Sequence, residues 1–392
     1  MIIRWRLGRW LAAGCVVALM ASIGAVTSVT AVTSAATAQG PPAGAPQHIF
    51  YIMMENHGFN EIIGNTTDAP FINQLASQYN LATDFHGVTH PSLPNYLAAI
   101  SGDFQGIWDD CKAGASVTCA PEEFVPGSGD GTAGNYLTPS QISSASSTPH
   151  MFGGQNLVDQ LEAHGLSWKA YMENLPSPGS TVEYAPVING TTVRLYAQKH
   201  DPFMYFSDIA SNPARMQKIV PFETNFAHDL ESGAVPNFAF ISPNQCHDMH
   251  GISSSTAQLV NLPACATDQG AIQLGDQWLK QTVNQIMNSS VWQNGSSEIV
   301  IPWDENDYST DLSGGPGSPV GVSGQVLGGG PAPLLVITSE ENGPITNNTP
   351  LDHYTTLKAI QQMWHLGCLA NTCDINNTAQ FMNLFDVSQN QQ

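Results

Sequence analysis

Three apolar segments of the sequence end in acids, amides or histidines. Glu55 and Asn56 follow HIFYIMM, Asp304 and Glu305 follow IVIPW, and the histidine-rich residues 244–250 follow NFAFISP. Carboxylate and amide oxygens are hard ligands that suit Mg²⁺, Ca²⁺ or Mn²⁺. A divalent cation held by such groups can activate a hydroxyl nucleophile and stabilise charge on a phosphoryl group. The alternative for each acidic pair is an ordinary exposed carboxylate at a strand end.

A candidate hydroxyl nucleophile, Ser92, lies in the stretch THPSLPNYLAAISG, residues 89–102. Pro94 favours the first turn of a helix, so the pattern predicts a turn at Ser92 and a helix that ends at Ser101 and Gly102. The free N–H groups and the positive dipole end of a helix N-terminus attract phosphate. The alternative is that Ser92 only caps this helix, which is a common role for serine.

The segments that would position these groups alternate between strands and helices. The predicted strands cover residues 48–55, 166–172, 237–241, 299–303 and 334–337, and the predicted helices cover 70–79, 156–164, 271–287 and 353–365, the last capped by Asp352. This alternation predicts an α/β fold with a central, mostly parallel sheet and helices on both faces. Ligands bind beyond the carboxyl ends of strands in such sheets, so the three polar clusters are expected to meet in one crevice.

The N-terminal 38 residues have the pattern of a secretory signal peptide. Arg4, Arg6 and Arg9 precede an apolar stretch, and small residues follow it. The apolar stretch is long enough for an uncleaved membrane anchor to remain the alternative. We expect an extracellular protein without stable membrane insertion once the leader is removed.

The remaining residues, 39–392, are expected to form a single domain, because no charged or Pro-rich linker interrupts the alternation of strands and helices. A long segment rich in Gly, Ser, Thr and Pro, at about residues 106–150, is interpreted as a surface insertion. The Gly-rich residues 309–331 lack the ending of a P-loop and are interpreted as a loop or hairpin.

The charge balance narrows the classes of partner. The chain has 32 acidic and 11 basic residues, with a formal net charge of −21. Nucleic acid and anionic membranes are therefore not expected as partners, because their affinity depends on Lys and Arg. The same charge repels anionic substrates at long range, so phosphate chemistry would need a metal ion or protonated histidines.

The cysteine count fits an oxidising compartment. Six cysteines remain when Cys15 of the leader is set aside, and an even number after a signal peptide is typical of disulfide-bonded proteins. The nearest neighbours in sequence are Cys111 with Cys119, Cys246 with Cys265, and Cys368 with Cys373. Six cysteines permit other connectivities, and buried free thiols are a further alternative.

Six motifs, in order along the chain, carry a resemblance to a known family. They are MMENHGF, HPSLPNYLAAISG, KHDPF, PNQCHDMHG, PWDEND and DHYTTLKAI. Together they resemble the phosphoesterase family of secreted acid phosphatases and bacterial phospholipases C, within the alkaline phosphatase superfamily. The likeness covers about residues 46–370 and is greatest to the acid phosphatase branch, which includes phosphatidylinositol-3-phosphate phosphatases. It implies an alkaline phosphatase-like fold.

The resemblance also implies a site. One divalent metal ion, of a kind the sequence does not specify among Ca, Mg and Mn, would be held by Glu55, Asn56, Asp304 and Glu305 together with Ser92. The phosphate pocket would be lined by Asn95, His200, Asp248, His250 and His353, to which the same motifs add Lys199 and His247. Asn95 would hold phosphoryl oxygens, and His250 or His200 would protonate the leaving alkoxide.

The function expected from this sequence is that of a secreted, metal-dependent acid phosphatase. It would hydrolyse phosphomonoesters of small molecules or lipids through a phosphoserine intermediate on Ser92. An acidic optimum is expected, because protonation would charge the histidines and reduce repulsion of the substrate. The alternatives are a phospholipase C-type phosphodiesterase acting on phospholipid head groups and a catalytically silent binding protein on the same scaffold.

Overall fold

A computed structural model describes residues 40–122, 135–307, 311–339 and 344–385. The expected leader lies outside these ranges, as does the middle of the expected insertion, residues 123–134. The strands, numbered in chain order, are β1 His48–Ile52, β2 Asn80–His86, β3 Trp168–Met172, β4 Tyr184–Ile188, β5 Thr191–Ala197, β6 Ile219–Pro221, β7 Phe238–Ser242, β8 Ser297–Pro302, β9 Pro331–Thr338 and β10 Thr346–Asn347.

Eight of these strands form one sheet in the order β10-β2-β9-β8-β1-β7-β3-β6, and β4 pairs with β5 in a separate hairpin. Neighbouring strands in the large sheet are parallel, except that β9 runs antiparallel to both β2 and β8. Every residue of β8 is buried, and so are residues 49–52 of β1. Such continuous burial is typical of parallel strands covered on both faces.

The helices are α1 Phe59–Ile62, α2 Pro70–Gln78, α3 Ser92–Ser101, α4 Pro139–Ala145, α5 Leu157–Ala163, α6 Ser207–Ala210, α7 Pro213–Met216, α8 Phe222–Ser232, α9 Ser254–Leu259, α10 Asp268–Met287, α11 Ser290–Gln293 and α12 His353–Met363. None of those in the described ranges has the length and apolar character that a membrane crossing requires.

Helices cover both faces of the sheet. The ring of Phe50 in β1 packs edge-on against Phe226 of α8, with 6.3 Å between centroids. The hydroxyl of the next residue, Tyr51, is hydrogen-bonded to Thr356 of α12 at 3.2 Å. Because adjacent strand residues point to opposite faces, α8 and α12 lie on opposite sides. The predicted α/β fold, with a mostly parallel sheet between helices, is confirmed.

Part of the segment interpreted as a surface insertion is instead buried. Ile107, Trp108 and Asp109 are buried, and the indole of Trp108 donates a hydrogen bond to Thr89 Oγ1 at 3.1 Å. Asp109 is paired with His150 at 2.7 Å. The bond from Trp108 attaches the segment to the turn that precedes α3, and the pair of Asp109 with His150 joins the two ends of the segment.

Three disulfides join the nearest cysteine neighbours in the sequence. Cys111 is bonded to Cys119, Cys246 to Cys265, and Cys368 to Cys373. The first of them closes a loop directly after Asp109 and Asp110, so it belongs to the segment that packs beside α3.

Candidate active site

The carboxyl ends of β7, β1 and β8, which are neighbours in the sheet, meet at one edge. Beyond the strands, the backbone N–H of Glu55 donates to Asp248 O at 2.8 Å, and that of Asp304 donates to Met54 O at 2.9 Å. These two bonds are the last that tie the segments together before the chain leaves the sheet. The polar clusters that follow the three strands therefore share one crevice, as their positions in the sequence predict.

Ser92 lies at the centre of this crevice. It is the first residue of α3 and is 1% exposed. Its Oγ is 3.0 Å from Glu55 Oε2, to which it donates, and 3.4 Å from Glu305 Oε1. Lys199 Nζ donates to the same oxygen at 3.2 Å. The hydroxyl is thus held between carboxylates on one side and an ammonium group on the other.

Asn95 fixes the backbone of the turn that carries Ser92. Its Oδ1 accepts from the N–H groups of Val88 and Thr89 at 2.7 and 3.3 Å, and its Nδ2 donates to the carbonyls of Thr89 and Pro91 at 2.7 and 3.1 Å. An amide side chain has no further donors or acceptors than these. Asn95 is therefore a positioning residue here, which differs from the predicted contact with phosphoryl oxygens.

The carboxylates of the crevice are fully buried and lie close to one another. Burial raises the pKa of Asp304, and the charges of Glu55 and Glu305 raise it further. Burial also raises the pKa of Glu305, although His90, whose Nδ1 is 2.5 Å from Glu305 Oε2, partly offsets this. For Glu55, burial opposes ionisation, but the positive charges of His200 and Lys199 hold its pKa below the usual value.

This donor set fits a divalent cation. Asp304 Oδ2 is buried without a hydrogen-bond partner among the described residues, and a buried carboxylate is costly unless a charge or a metal compensates it. Glu55, His200 and Asp248 also offer ligand atoms that lie within 4.8 Å of one another. Asn56 is half-buried beside Glu55 and makes no hydrogen bond within the described part of the chain. The residues present therefore suit a carboxylate and histidine metal site.

His200 links two of the strand ends. Its Nε2 is 2.9 Å from Glu55 Oε1, and its Nδ1 is 3.3 Å from Asp248 Oδ2. Burial lowers the pKa of His200, but the carboxylates of Glu55 and Asp248 together outweigh burial, and the pKa rises to about 9. The ring also stacks on Tyr96, with 4.9 Å between centroids. His200 is therefore a charged side chain whose two nitrogens are both engaged by carboxylates.

His250 occupies the side of the crevice nearer to solvent. Its backbone N–H donates to Asp248 Oδ1 at 2.8 Å, and its Nε2 lies 3.5 Å from Lys199 Nζ. Burial lowers the pKa of His250 to about 4, and the neighbouring Lys199 charge acts in the same direction. Burial raises the pKa of Asp248 to about 6. In this structure the two predicted acid histidines thus differ, with His200 charged and His250 neutral near neutral pH.

The remaining predicted histidines are placed differently. His353 is fully buried and its Nε2 is 2.7 Å from the carbonyl oxygen of Asp304. Burial lowers its pKa to about 4, so it donates to that carbonyl as a neutral ring and holds the end of β8. His247 instead pairs with Glu173 at 2.8 Å and stacks near Trp278. Within the described ranges it does not contact the crevice, which corrects its predicted place in the phosphate pocket.

Two residues of the crevice were not anticipated. His90 contacts Glu305, and Asp110 accepts from the N–H of Leu93 at 2.9 Å and pairs with Lys199 at 2.8 Å. His90 stands two residues before Ser92 in a quoted motif, so its position could have indicated it. Asp110 belongs to the segment interpreted as a surface insertion, and nothing in its local sequence points to the site.

A cavity of about 740 Å³ opens beside this crevice. Lys199, His250 and Asp110 line its inner side, and the β4-β5 hairpin supplies Tyr184 and Arg194. A substrate entering from this side would meet Lys199, which contacts Ser92.

Comparisons with known proteins agree with the motifs. A model of the Phosphoesterase family matches residues 65–367. A probable acid phosphatase of Kluyveromyces lactis is 26% identical over 355 residues, which are 88% of this chain and 66% of that protein. A phosphatidylinositol-3-phosphatase of Mycobacterium tuberculosis is 28% identical over 319 residues, which are 81% of this chain and 77% of that protein.

The chain thus spans slightly less than two thirds of the length of the Kluyveromyces protein. A solved structure of a protein in the alkaline phosphatase superfamily from Vibrio parahaemolyticus overlaps 85% of this chain and 69% of its own, with a TM-score of 0.46 and 12% identity. Since the family model covers well over half of the sequence, the chain belongs to the Phosphoesterase family.

Proposed function

We propose that the protein is a metal-dependent acid phosphatase that hydrolyses phosphomonoesters through a phosphoserine on Ser92. The observation that carries this proposal is the contact of Ser92 Oγ with Glu55, Glu305 and Lys199 at the edge of the sheet. Relatives named acid phosphatase support the class of reaction. The substrate is a small-molecule or lipid phosphate ester.

In the first half of the reaction, Ser92 Oγ bonds to phosphorus and the ester oxygen leaves with a proton. Glu55 orients the hydroxyl, and the Lys199 ammonium faces the charge that develops on the phosphoryl oxygens. A divalent cation, either Mg, Ca or Mn, would be held by Glu55, Asn56, Asp304 and Glu305. It would lower the pKa of the Ser92 hydroxyl and neutralise charge on the phosphoryl group. Water then attacks the phosphoserine, releases phosphate and restores the hydroxyl.

His250 is the better placed of the two histidines to protonate the leaving oxygen. It lines the cavity, whereas both ring nitrogens of His200 face carboxylates. A phosphate dianion that binds beside His250 raises its pKa from the low value of the free site. Activity should therefore increase towards acid pH, where the bound complex carries the proton.

We also infer that the protein is secreted and that residues 1–38 form a removable leader, followed by one phosphoesterase domain over residues 39–392. The three disulfides support an oxidising compartment. Mass spectrometry of the protein recovered from culture medium would identify its N-terminal residue and test this inference.

The nucleophile is tested with Ser92→Ala, because the phosphoenzyme cannot form without the hydroxyl. We expect phosphate release from an aryl phosphate to fall by at least about a thousandfold, a loss typical of removing a nucleophile. Rapid acid quenching should trap a phosphorylated peptide containing residue 92 in the wild type only. The exposed Ser211→Ala serves as the matched control. Turnover by Ser92→Ala near the wild-type rate would contradict the mechanism.

The metal requirement is tested by dialysis against a chelator, with metal content measured before and after. Activity should disappear with the metal and return on addition of Mg²⁺, Ca²⁺ or Mn²⁺, and the same panel identifies the ion. Release of phosphocholine from phosphatidylcholine, without phosphate release from any monoester, would instead favour the phosphodiesterase.

A further inference from the structure

The wall of the cavity beside Ser92 contains three basic and three acidic side chains, the acidic ones being Asp110, Glu122 and Glu183. Lys112, Arg194 and Lys199 all line it, out of 11 Lys and Arg residues in the whole chain. Two of these cations are already paired, Lys199 with Asp110 at 2.8 Å and Lys112 with Glu183 at 3.5 Å. Arg194 is the third, and it has no carboxylate partner in the described part of the chain.

Arg194 is nevertheless held in place. It projects from β5, and its guanidinium carbon lies 4.4 Å from the ring centroid of Tyr184 on the paired strand β4. Stacking on an aromatic ring leaves the edge of a guanidinium, with its N–H donors, free for a planar or tetrahedral anion. The group is therefore oriented without being neutralised.

Tyr184 connects this cation to the reaction centre. Tyr184, Arg194 and Lys199 all line the same cavity. Arg194 lies over the Tyr184 ring, and Lys199 donates to Ser92 Oγ at 3.2 Å, so the cavity connects the two cations. One molecule in the cavity can meet Lys199 with the phosphate to be cleaved and Arg194 with its leaving group.

On the basis of the proposed function, we propose that Arg194 and Tyr184 form a leaving-group subsite for phosphomonoesters whose leaving group carries a second phosphate. The second phosphate binds the guanidinium edge and is not cleaved. Only the bond between phosphorus and the ester oxygen at Ser92 breaks, so the product is an alcohol that keeps its remaining phosphate. Soluble polyol bisphosphates and phosphoinositides share this chemistry.

The test compares three substrates that differ in the second phosphate. Inositol 3-phosphate lacks it, inositol 1,3-bisphosphate carries it in solution, and dioctanoyl phosphatidylinositol 3-phosphate carries it within a lipid. Arg194→Ala and Arg194→Gln should raise KM about tenfold for the last two substrates, the loss expected for one charge-assisted contact. Neither variant should change KM for inositol 3-phosphate or kcat for any substrate.

Lys280→Ala, which removes an exposed charge on α10, is the matched control and should leave all three KM values unchanged. A rise in KM for only one of the two substrates with a second phosphate supports the subsite and identifies its source. Equal changes for all three substrates, or no change for any, overturn the proposal. Wild-type enzyme that releases no phosphate from inositol 3-phosphate or an aryl phosphate would instead refute the proposed function itself.

Discussion

At the scale of single residues, the hydroxyl of Ser92 depends on a second layer of charges. Lys199 reaches Ser92 because Asp110 holds it from the other side. Burial opposes the charge on Lys199, but Asp110 and Glu55 raise its pKa above the usual value. Asp110 also accepts from the N–H of Leu93, so one carboxylate orients both the helix start and the ammonium group.

We expect Asp110→Ala to lower kcat about tenfold, because a hydrogen bond to a charged group contributes roughly 1.5–3 kcal/mol. KM for an aryl phosphate should not rise, since the change removes a negative charge from beside the phosphoryl site. Steady-state kinetics separate the two effects. Asp110→Asn keeps an acceptor for the N–H of Leu93, so its kcat should lie between those of the wild type and Asp110→Ala. A wild-type kcat in Asp110→Ala would argue against this role.

Asp352, the N-cap of α12, should make stability depend on pH. Burial raises its pKa to about 8 in the folded protein, against about 3.9 in an unfolded chain. The folded state therefore binds this proton more tightly, and the resulting stability is lost progressively as pH rises from about 4 to about 8. Thermal unfolding of wild type and Asp352→Asn should agree only below about pH 4, where the carboxyl is protonated in both the folded and the unfolded state.

At about pH 8 and above, Asp352→Asn should be the more stable protein, because it keeps an acceptor for the N–H of Thr355 without a buried charge. The exposed Asp374→Asn, measured in parallel, should follow the wild type at both pH values. A constant difference between Asp352→Asn and wild type across this range would show that the carboxyl does not titrate as argued.

The sequence predicts the reactive residues better than the supporting ones. Glu55, Asp304 and Glu305 follow apolar strands, and parallel strands bring their ends together, so their proximity follows from the pattern. Asn95 and His247 lie in motifs that resemble the family's site. The side chain of Asn95 is nevertheless hydrogen-bonded to the backbone of its own turn, and His247 pairs with Glu173. Motif membership does not determine which way a side chain points.

At the scale of elements, the loop after β2 must pass very close to the end of β8. A Cβ added at Gly87 would lie 2.8 Å from Asp304 O, 2.9 Å from the Cα of Gly329 and 3.0 Å from the Cα of Glu305. All three are backbone atoms that cannot rotate away. Gly87 therefore packs closely against two residues of the acidic cluster and against Gly329 of the Gly-rich segment before β9.

Gly87→Ala is expected to destabilise the protein by about 1–3 kcal/mol, the usual cost of overpacking, and to reduce activity by displacing Asp304 and Glu305. Urea denaturation and kcat/KM measure the two effects. Gly153→Ala, whose added Cβ meets nothing within 4 Å, is the matched control. If Gly87→Ala behaved like Gly153→Ala, the close approach would not matter for the site.

Several elements could not be predicted from local pattern. β2, with the sequence NLATDFH, has polar residues in its middle and is stabilised by β9 and β10 on either side. The β4-β5 hairpin lies outside the large sheet, so it lacks the long apolar runs that identify β1 and β8. Both elements depend on neighbours that are remote in sequence, and such pairing is not visible in a short window.

At the scale of the whole molecule, the net charge of −21 should slow the approach of a phosphate dianion. Raising ionic strength from ~10 mM to ~150 mM shortens the screening length, so kcat/KM should increase while kcat stays constant. A substrate phosphate that carries a single negative charge should show a smaller increase. A decrease with salt would mean that the cations around the cavity outweigh the rest of the surface.

The central position of β1 also has a consequence for biosynthesis. Ile49 is paired with Phe238, and Phe50 with Ile299, so this strand leaves the ribosome long before either partner exists. The disulfides bridge only 8, 19 and 5 residues and cannot bring those partners nearer. The apolar strand β1 must therefore remain unpaired while most of the polypeptide is synthesised. We expect the nascent N-terminal region to need protection by chaperones during that time.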